Sequence, residues 1–311
     1  MRFSAPAKIN LSLEVLGRRP DGFHEVRTLM VPLDLADTIE IEVDPEPAAA
    51  AGPIAGERAG SVTRLAGVEH GLPEGLTIGF ACDDASLPAD AGNLAVRAAA
   101  EFCRVAGWRG RITLRLAKRI PHGAGLGGGS SDAATVLSAL NGLCGNPLDA
   151  DALADAAAAV GSDVPFFLAG GAAWCEGRGE RVRPVPGPGP LRLWLAKPPF
   201  GVPTPWAYSR WSLAAALPGI DYGPQAMGWG TLVNDLERPV FEKYLLLADW
   251  KQWLRAQPGV RGALMAGSGA TVFAVLDEEA DATALEAAFR AEFGDEHWAT
   301  ETRVRMDRAG T

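Results

Sequence analysis

The residues best suited to chemistry lie at 121–134, Pro-His-Gly-Ala-Gly-Leu-Gly-Gly-Gly-Ser-Ser-Asp-Ala-Ala. Five glycines, Gly123, Gly125, Gly127, Gly128 and Gly129, fall within seven positions, and Ser130 and Ser131 follow directly. Val136, Leu137, Leu140 and Leu143 then recur at helical spacing. Glycine lets backbone N–H groups curl inward without a side chain in the way. The first turn of a helix adds unpaired N–H groups and the positive end of its dipole. Together they make a polyphosphate site, in which Ser130 and Ser131 can cap the helix or reach phosphate or its magnesium. A flexible linker would not lead into such a helix.

Three kinds of phosphate loop compete. A P-loop is excluded, because no Gly-Lys-Ser/Thr follows the glycines. Gly123, Gly125 and Gly128 satisfy a dinucleotide G-x-G-x-x-G formally. However, residues 117–122 separate them from a strand at 111–116, and Asp149 and Asp151 follow an Asn-Pro turn rather than a second strand. The third possibility fits: the run from Pro121 through His122, Ala124 and Leu126 to Ala134 resembles the second motif of the GHMP kinases. That resemblance implies ATP held by the amides of 121–131.

The surrounding elements follow from periodicity. Ile9, Leu11, Leu13 and Val15 alternate with Asn10, Ser12 and Glu14, a strand. A turn at 17–22 returns the chain through 23–31, and 38–43 alternates again. Asn93 is placed to cap a helix over 95–108, and 149–160 forms another helix. On residue type alone Lys8 is a surface lysine, His24 a strand histidine and Lys118 a solvated charge. Asp163, in Gly-Ser-Asp-Val-Pro-Phe-Phe, is by default a turn residue, although an acid in apolar company needs partners.

The resemblance adds roles to these positions. Pro-Ala-Lys-Ile-Asn-Leu at 6–11 is similar to the first GHMP motif, and Gly-Ser-Gly at 267–269 to the third. In the family the acid of Gly-x-Asp-Val-Pro, here Asp163, is the general base and pairs with the lysine of the first motif, here Lys8. Position makes Lys118 a candidate for the nucleotide pocket, and the family implies an Asn93 contact to adenine. Asp21-Gly22-Phe23-His24 resembles a segment of one branch that holds a cytosine. There His24, Phe23 and the aromatic after Pro-Thr-Pro, here Tyr208, read the base, with Phe23 and Tyr208 as opposing slabs. Asn10 and Thr204 are further substrate candidates. No carboxylate stands out as a magnesium ligand, and Asp132 most simply serves the helix dipole.

The whole chain agrees with this. Its 311 residues suggest about two domains. With 48% hydrophobic and 22% charged residues it is an ordinary globular composition. A net charge of −9 argues against nucleic-acid or anionic-membrane partners. Cys82, Cys103, Cys144 and Cys175 are scattered and read as reduced thiols of a cytoplasmic protein. The four histidines suggest no structural zinc site, and nothing marks an oligomeric state. Residues 44–60 are Ala/Pro/Gly-rich and form a loop or a hairpin tip.

Helical spacing runs from Asn234 to about Leu254, and a last strand is placed at 302–305. The resemblance implies an α+β, two-domain GHMP kinase fold. Residues 1–168 are its ribosomal-S5-domain-2-like ATP-binding domain and residues 169–311 its ferredoxin-like substrate domain. It also implies ATP- and Mg²⁺-dependent phosphorylation of the 2-hydroxyl of a small cytidine-diphosphate-linked alcohol in non-mevalonate isoprenoid biosynthesis. A homoserine- or mevalonate-type kinase and a non-catalytic sensor of the same fold are the alternatives.

Overall fold

The computed structural model describes residues 1–45, 63–66 and 75–306. The chain begins with β1 (Arg2–Arg18), β2 (His24–Asp44), β3 (Thr63–Ala66), β4 (Leu76–Cys82), α1 (Leu94–Ala106), β5 (Gly110–Ala117) and α2 (Gly128–Leu143). It continues with α3 (Ala150–Val160), α4 (Val164–Leu168), β6 (Ala173–Gly177), β7 (Arg181–Pro184), β8 (Arg192–Lys197), α5 (Thr204–Arg210), β9 (Gln225–Met227) and β10 (Gly230–Asn234). The last elements are α6 (Glu237–Lys243), α7 (Leu245–Arg255), β11 (Val260–Met265), β12 (Val272–Leu276), α8 (Ala282–Phe293) and β13 (Trp298–Arg303). Among the described residues no helix is long and apolar enough to cross a membrane. The Ala/Pro/Gly-rich stretch expected at 44–60 lies, from 46 onward, outside the described residues.

Two compact units interleave in sequence. The first is Met1–Ala7, Ala36–Ile120 and Gly128–Leu168; the second is Lys8–Leu35, Pro121–Gly127 and Ala169–Thr311. Residues 8–35 and 121–127 thus group with 169–311 rather than with the segments that flank them in sequence.

In the first unit the later part of β2 pairs antiparallel with β5 from Thr38↔Ala117 to Asp44↔Arg111. β5 runs parallel to β4, and β4 pairs antiparallel with β3. Period-2 alternation buries Ile39 and Ile41 and exposes Glu40 and Glu42. Ile78, Ile112 and Leu114 form a core with Phe102 and Cys103 of α1 and Leu137 and Leu140 of α2. Burying a side chain the size of Phe102 contributes about 1.5–3 kcal/mol. α1 starts where Asn93 Oδ1 accepts the Ala95 amide at 3.0 Å and stops at left-handed Gly107. Asp149 caps α3 through the Ala152 amide at 2.9 Å.

The second unit contains a four-stranded antiparallel sheet, order β11-β12-β8-β13. With α7 before β11 and α8 before β13 this is the expected ferredoxin-like βαββαβ arrangement. Its core centres on Phe289, 4.9 Å from both the Trp194 and Trp250 rings. Elsewhere in this unit β10 runs parallel to β1, with Leu13 opposite Asn234, and β6 pairs with β2.

Several local expectations change. Residues 24–44 are one long strand rather than two. The helix expected over 234–254 is broken in two at Tyr244, whose φ of −114° and ψ of 69° are not helical, and Asn234 itself ends β10. β13 begins at Trp298, before the expected 302. α5 begins at Thr204 despite Pro205, because proline is tolerated in a first helical turn, where its missing N–H has no partner to lose.

Candidate active site

In the second unit the polar face of β1 is buried rather than solvated: Lys8, Asn10 and Ser12 are 4%, 2% and 6% exposed. Lys8 Nζ donates to Asn10 Oδ1 at 2.8 Å and to the Gly125 carbonyl at 3.1 Å. Asn10 Nδ2 donates to Thr28 Oγ1 at 2.7 Å, and the Thr28 hydroxyl to the Ser12 carbonyl at 2.6 Å. Both ends of the Asn10 amide are therefore engaged around Lys8.

The glycine loop is laced to its neighbours. The Lys8 amide donates to the Leu126 carbonyl at 2.9 Å and the Thr271 amide to the Ala124 carbonyl at 3.2 Å. Ala124 and Leu126 are buried, while Pro121 is half-buried and His122 exposed. Gly125 has φ +75°, and a Cβ there would stand 2.2 Å from the Ala266 carbonyl oxygen. Only glycine allows this approach of the 121–127 loop to the 267–269 turn.

Thr204, the first residue of α5, bonds Ser268 Oγ through its own Oγ1 at 2.7 Å. The 267–269 turn is held from below by Asn234, whose Nδ2 donates to the Met265 and Gly267 carbonyls at 2.7 and 2.8 Å. Glu237 accepts the Met265 amide at 3.0 Å and the Lys251 ammonium at 2.5 Å. Burial pushes the Glu237 carboxyl up from the ordinary range, against the pull of Lys251.

The aromatic residues expected around a pyrimidine also lie in this unit. The His24 and Tyr208 rings are 5.4 Å apart at 32°, and Trp211 stands edge-on to His24 at 6.2 Å. Burial, then the nearby Arg18, lowers the His24 pKa, which favours a neutral imidazole able both to donate and to accept. Phe23 is 50% exposed, with the Arg178 guanidinium 4.8 Å above its ring.

The first unit carries the remaining candidates. α2 begins at Gly128, so the amides of Gly128, Gly129, Ser130 and Ser131 are its four donors without helical partners. Neither serine is the cap, and Ser131 Oγ is buried with no hydrogen-bond partner. Lys118 lies beside this start: a Cβ on Gly128 would be 3.3 Å from Lys118 Nζ. The ammonium contacts Asp37 Oδ2 at 2.5 Å and Asp132 Oδ2 at 2.9 Å. Burial opposes its charge, but Asp132 and then Asp37 outweigh burial and leave the Lys118 pKa raised. Burial pushes Asp132 up to about 7; Lys118 opposes this and Asp37 reinforces it. Asp132 is thus an ion-pair partner inside the helix rather than a first-turn dipole residue. Asn93 uses Oδ1 for its cap and Nδ2 for the Pro88 carbonyl at 3.0 Å. Asp163 is half-buried in the turn ahead of α4.

The sequence did not point to Asp37, Asn234, Glu237 or Trp211 in these roles. An acid amid apolar alternation, Leu35-Ala36-Asp37-Thr38-Ile39, was the one available signal for Asp37. The others act on backbone carbonyls, amides or rings distant in sequence, which no local pattern announces.

The family of GHMP kinases N terminal domains matches residues 93–171, and that of GHMP kinases C terminal domains residues 225–295. The chain is 38% identical over 276 residues to 4-diphosphocytidyl-2-C-methyl-D-erythritol kinase of Methylacidiphilum infernorum, covering 88% of this chain and 86% of that one. It is 39% identical over 296 residues to the Pelotomaculum thermopropionicum protein of the same name, covering 92% of each. A crystal structure of 4-(cytidine 5'-diphospho)-2C-methyl-D-erythritol kinase superposes with a TM-score of 0.70 at 34% identity, over 98% of this chain and all of that one. With its glycine loop, its ferredoxin-like sheet and this degree of identity, the chain belongs to the GHMP kinases, in the family of 4-diphosphocytidyl-2-C-methyl-D-erythritol kinases.

Proposed function

We propose that the chain transfers the γ-phosphoryl group of ATP to the 2-hydroxyl of 4-diphosphocytidyl-2-C-methyl-D-erythritol, a step of non-mevalonate isoprenoid biosynthesis. The observation that carries this reading is the glycine loop, which runs into the four open amides of α2 beside the Lys118 ammonium. Relatives that bear the name of that kinase at 35–39% identity support the acceptor. The His24–Tyr208 ring pair supports a pyrimidine. No comparable feature favours homoserine, mevalonate or a sensor. The domain division at 168/169 belongs to the same reading, with ATP on the earlier domain. The four free thiols suit the cytoplasm.

In this reading Asp163 accepts the proton of the acceptor hydroxyl, and Lys8 supports Asp163 and the alkoxide charge that develops. The amides of 121–131 hold the phosphates, Lys118 and Asn93 serve the nucleotide, and Phe23, His24 and Tyr208 read the cytosine. Asn10 and Thr204 border the acceptor. Phosphoryl transfer needs little beyond such positioning and charge stabilisation.

Magnesium bound with ATP would supply charge neutralisation on the phosphates in this scheme. Among the described residues no three His, Cys, Asp or Glu side chains cluster to hold a metal. Two buried oxygens, Asp132 Oδ1 and Ser131 Oγ, have no partner. These two oxygens are the kind of ligand Mg²⁺ takes and would be this chain's contribution to holding it.

The test is ADP release with ATP, Mg²⁺ and, in parallel, the cytidylyl compound, homoserine or mevalonate. Turnover with the cytidylyl compound alone is expected; turnover with another acceptor instead would overturn the assignment. Asp163→Asn should lose about 10²- to 10⁴-fold in turnover while ATP binding is retained. Undiminished turnover would remove Asp163 from the role of base.

A further inference from the structure

Asp37 is 1% exposed and makes three hydrogen bonds, to three consecutive residues. Its Oδ1 accepts the Arg119 amide at 2.6 Å and the Ile120 amide at 2.9 Å, and its Oδ2 accepts Lys118 Nζ at 2.5 Å. Residues 118–120 are the last before Pro121 opens the glycine loop. One carboxylate therefore fixes the backbone at the loop's entrance and the ammonium at the start of α2.

A lysine side chain carries about 2 kcal/mol of rotamer entropy, which a loosely tethered ammonium surrenders on meeting a phosphate or ribose oxygen. Here the side chain is already 9% exposed and held by two carboxylates. Two of its three N–H groups are engaged. The third has no protein acceptor among the described residues, and the Gly128 backbone passes close by. At Gly128 an added Cβ would crowd both Ile120, at 3.0 Å, and the ammonium, at 3.3 Å. A side chain at 128 would therefore press on the ammonium, which sits at the start of a helix whose first amides are open.

We propose that Asp37 is the positioning residue that presents Lys118 to the nucleotide, through its bond to the ammonium and its two bonds to the loop entrance. The proposal rests on the reading of Lys118 as a nucleotide-side residue. Asp132 shares the ammonium, but the bonds to the Arg119 and Ile120 amides are made by Asp37, so the dual task falls to Asp37.

Asp37→Asn separates the two tasks. The amide oxygen still accepts the Arg119 and Ile120 amides, but the amide nitrogen cannot accept from an ammonium. The variant should raise KM for ATP about tenfold and leave KM for the cytidylyl acceptor within twofold. Lys118→Met should do the same, and the double variant should be no worse than the worse single one, because both remove one contact. The proposal is overturned if Asp37→Asn leaves KM for ATP unchanged, if it raises both KM values alike, or if the two effects multiply.

If Asp37→Asn does not fold, Lys118→Met and Lys118→Arg decide. An effect of Lys118→Met on acceptor KM, or none on ATP KM, overturns the proposal; a rise confined to ATP supports it. ATP dissociation constants from calorimetry replace KM if the wild type turns over no acceptor. The proposal then stands or falls separately from the acceptor assignment.

Discussion

Lys8 Nζ lies 2.8 Å from Asn10 Oδ1, two residues along the same face of β1. The Asn10 amide passes the connection to Thr28, and Thr28 to the Ser12 carbonyl. A relay of this kind orients a long ammonium side chain before any ligand arrives. Asn10→Ala removes the acceptor and should lower turnover about tenfold, with KM for ATP within twofold. Asn10→Asp, which keeps an acceptor oxygen, should retain more of the turnover than Asn10→Ala. Steady-state rates of the two variants check the order.

His24 answers a different question. Its pKa is lowered from the ordinary histidine value, so the ring is neutral at pH 7. KM for the cytidylyl acceptor should therefore stay flat from pH 8 to about 6.5 and rise only below that. His24→Ala should raise this KM and not that for ATP. A KM for the acceptor that rises between pH 8 and 7 would contradict the neutral-ring account.

Asp132 should leave a mark on stability. Its carboxyl titrates at 3.8 when unperturbed and at about 7 in the fold. Between those values the native state holds a proton that the unfolded chain has lost. Its contribution is full below the lower value and is lost as pH rises through the upper one. Asp132→Asn cannot ionise, so its melting temperature should gain on the wild type between pH 5 and pH 8. A difference independent of pH would contradict this.

Gly125 and Gly107 make a controlled comparison. Both have positive φ, but a Cβ at Gly107 meets nothing within 4 Å, whereas at Gly125 it meets the Ala266 carbonyl. Gly107→Ala should cost only the left-handed backbone penalty, about 1 kcal/mol, and leave KM for ATP unchanged. Gly125→Ala should cost more in urea unfolding and also weaken ATP.

The sequence made the phosphate loop legible because backbone-driven chemistry demands glycines in consecutive register, and those are local. The cap at Asn93 and the apolar faces of α2 and α7 were legible for the same reason. Two things were not. Residue type made Lys8 a surface lysine, but Lys8, Asn10 and Ser12 are buried, with Gly125, Thr28 and Leu29 among their hydrogen-bond partners. The carboxylate of Asp37 and the amide of Asn234 serve backbone groups 82 and 31 residues away. Their importance lies in tertiary hydrogen bonds, which leave no periodicity. The break at Tyr244 was hidden because the helical spacing continues through it.

The central claim is transfer of phosphate to a hydroxyl of a cytidylyl alcohol, and ³¹P NMR of the reaction mixture tests it most directly. The account expects one new phosphomonoester resonance, equal in amount to the ADP formed, with the acceptor's diphosphate resonances retained and a proton coupling pattern that places the ester on the 2-hydroxyl. Inorganic phosphate as the sole new signal, or an ester at another hydroxyl, would contradict it.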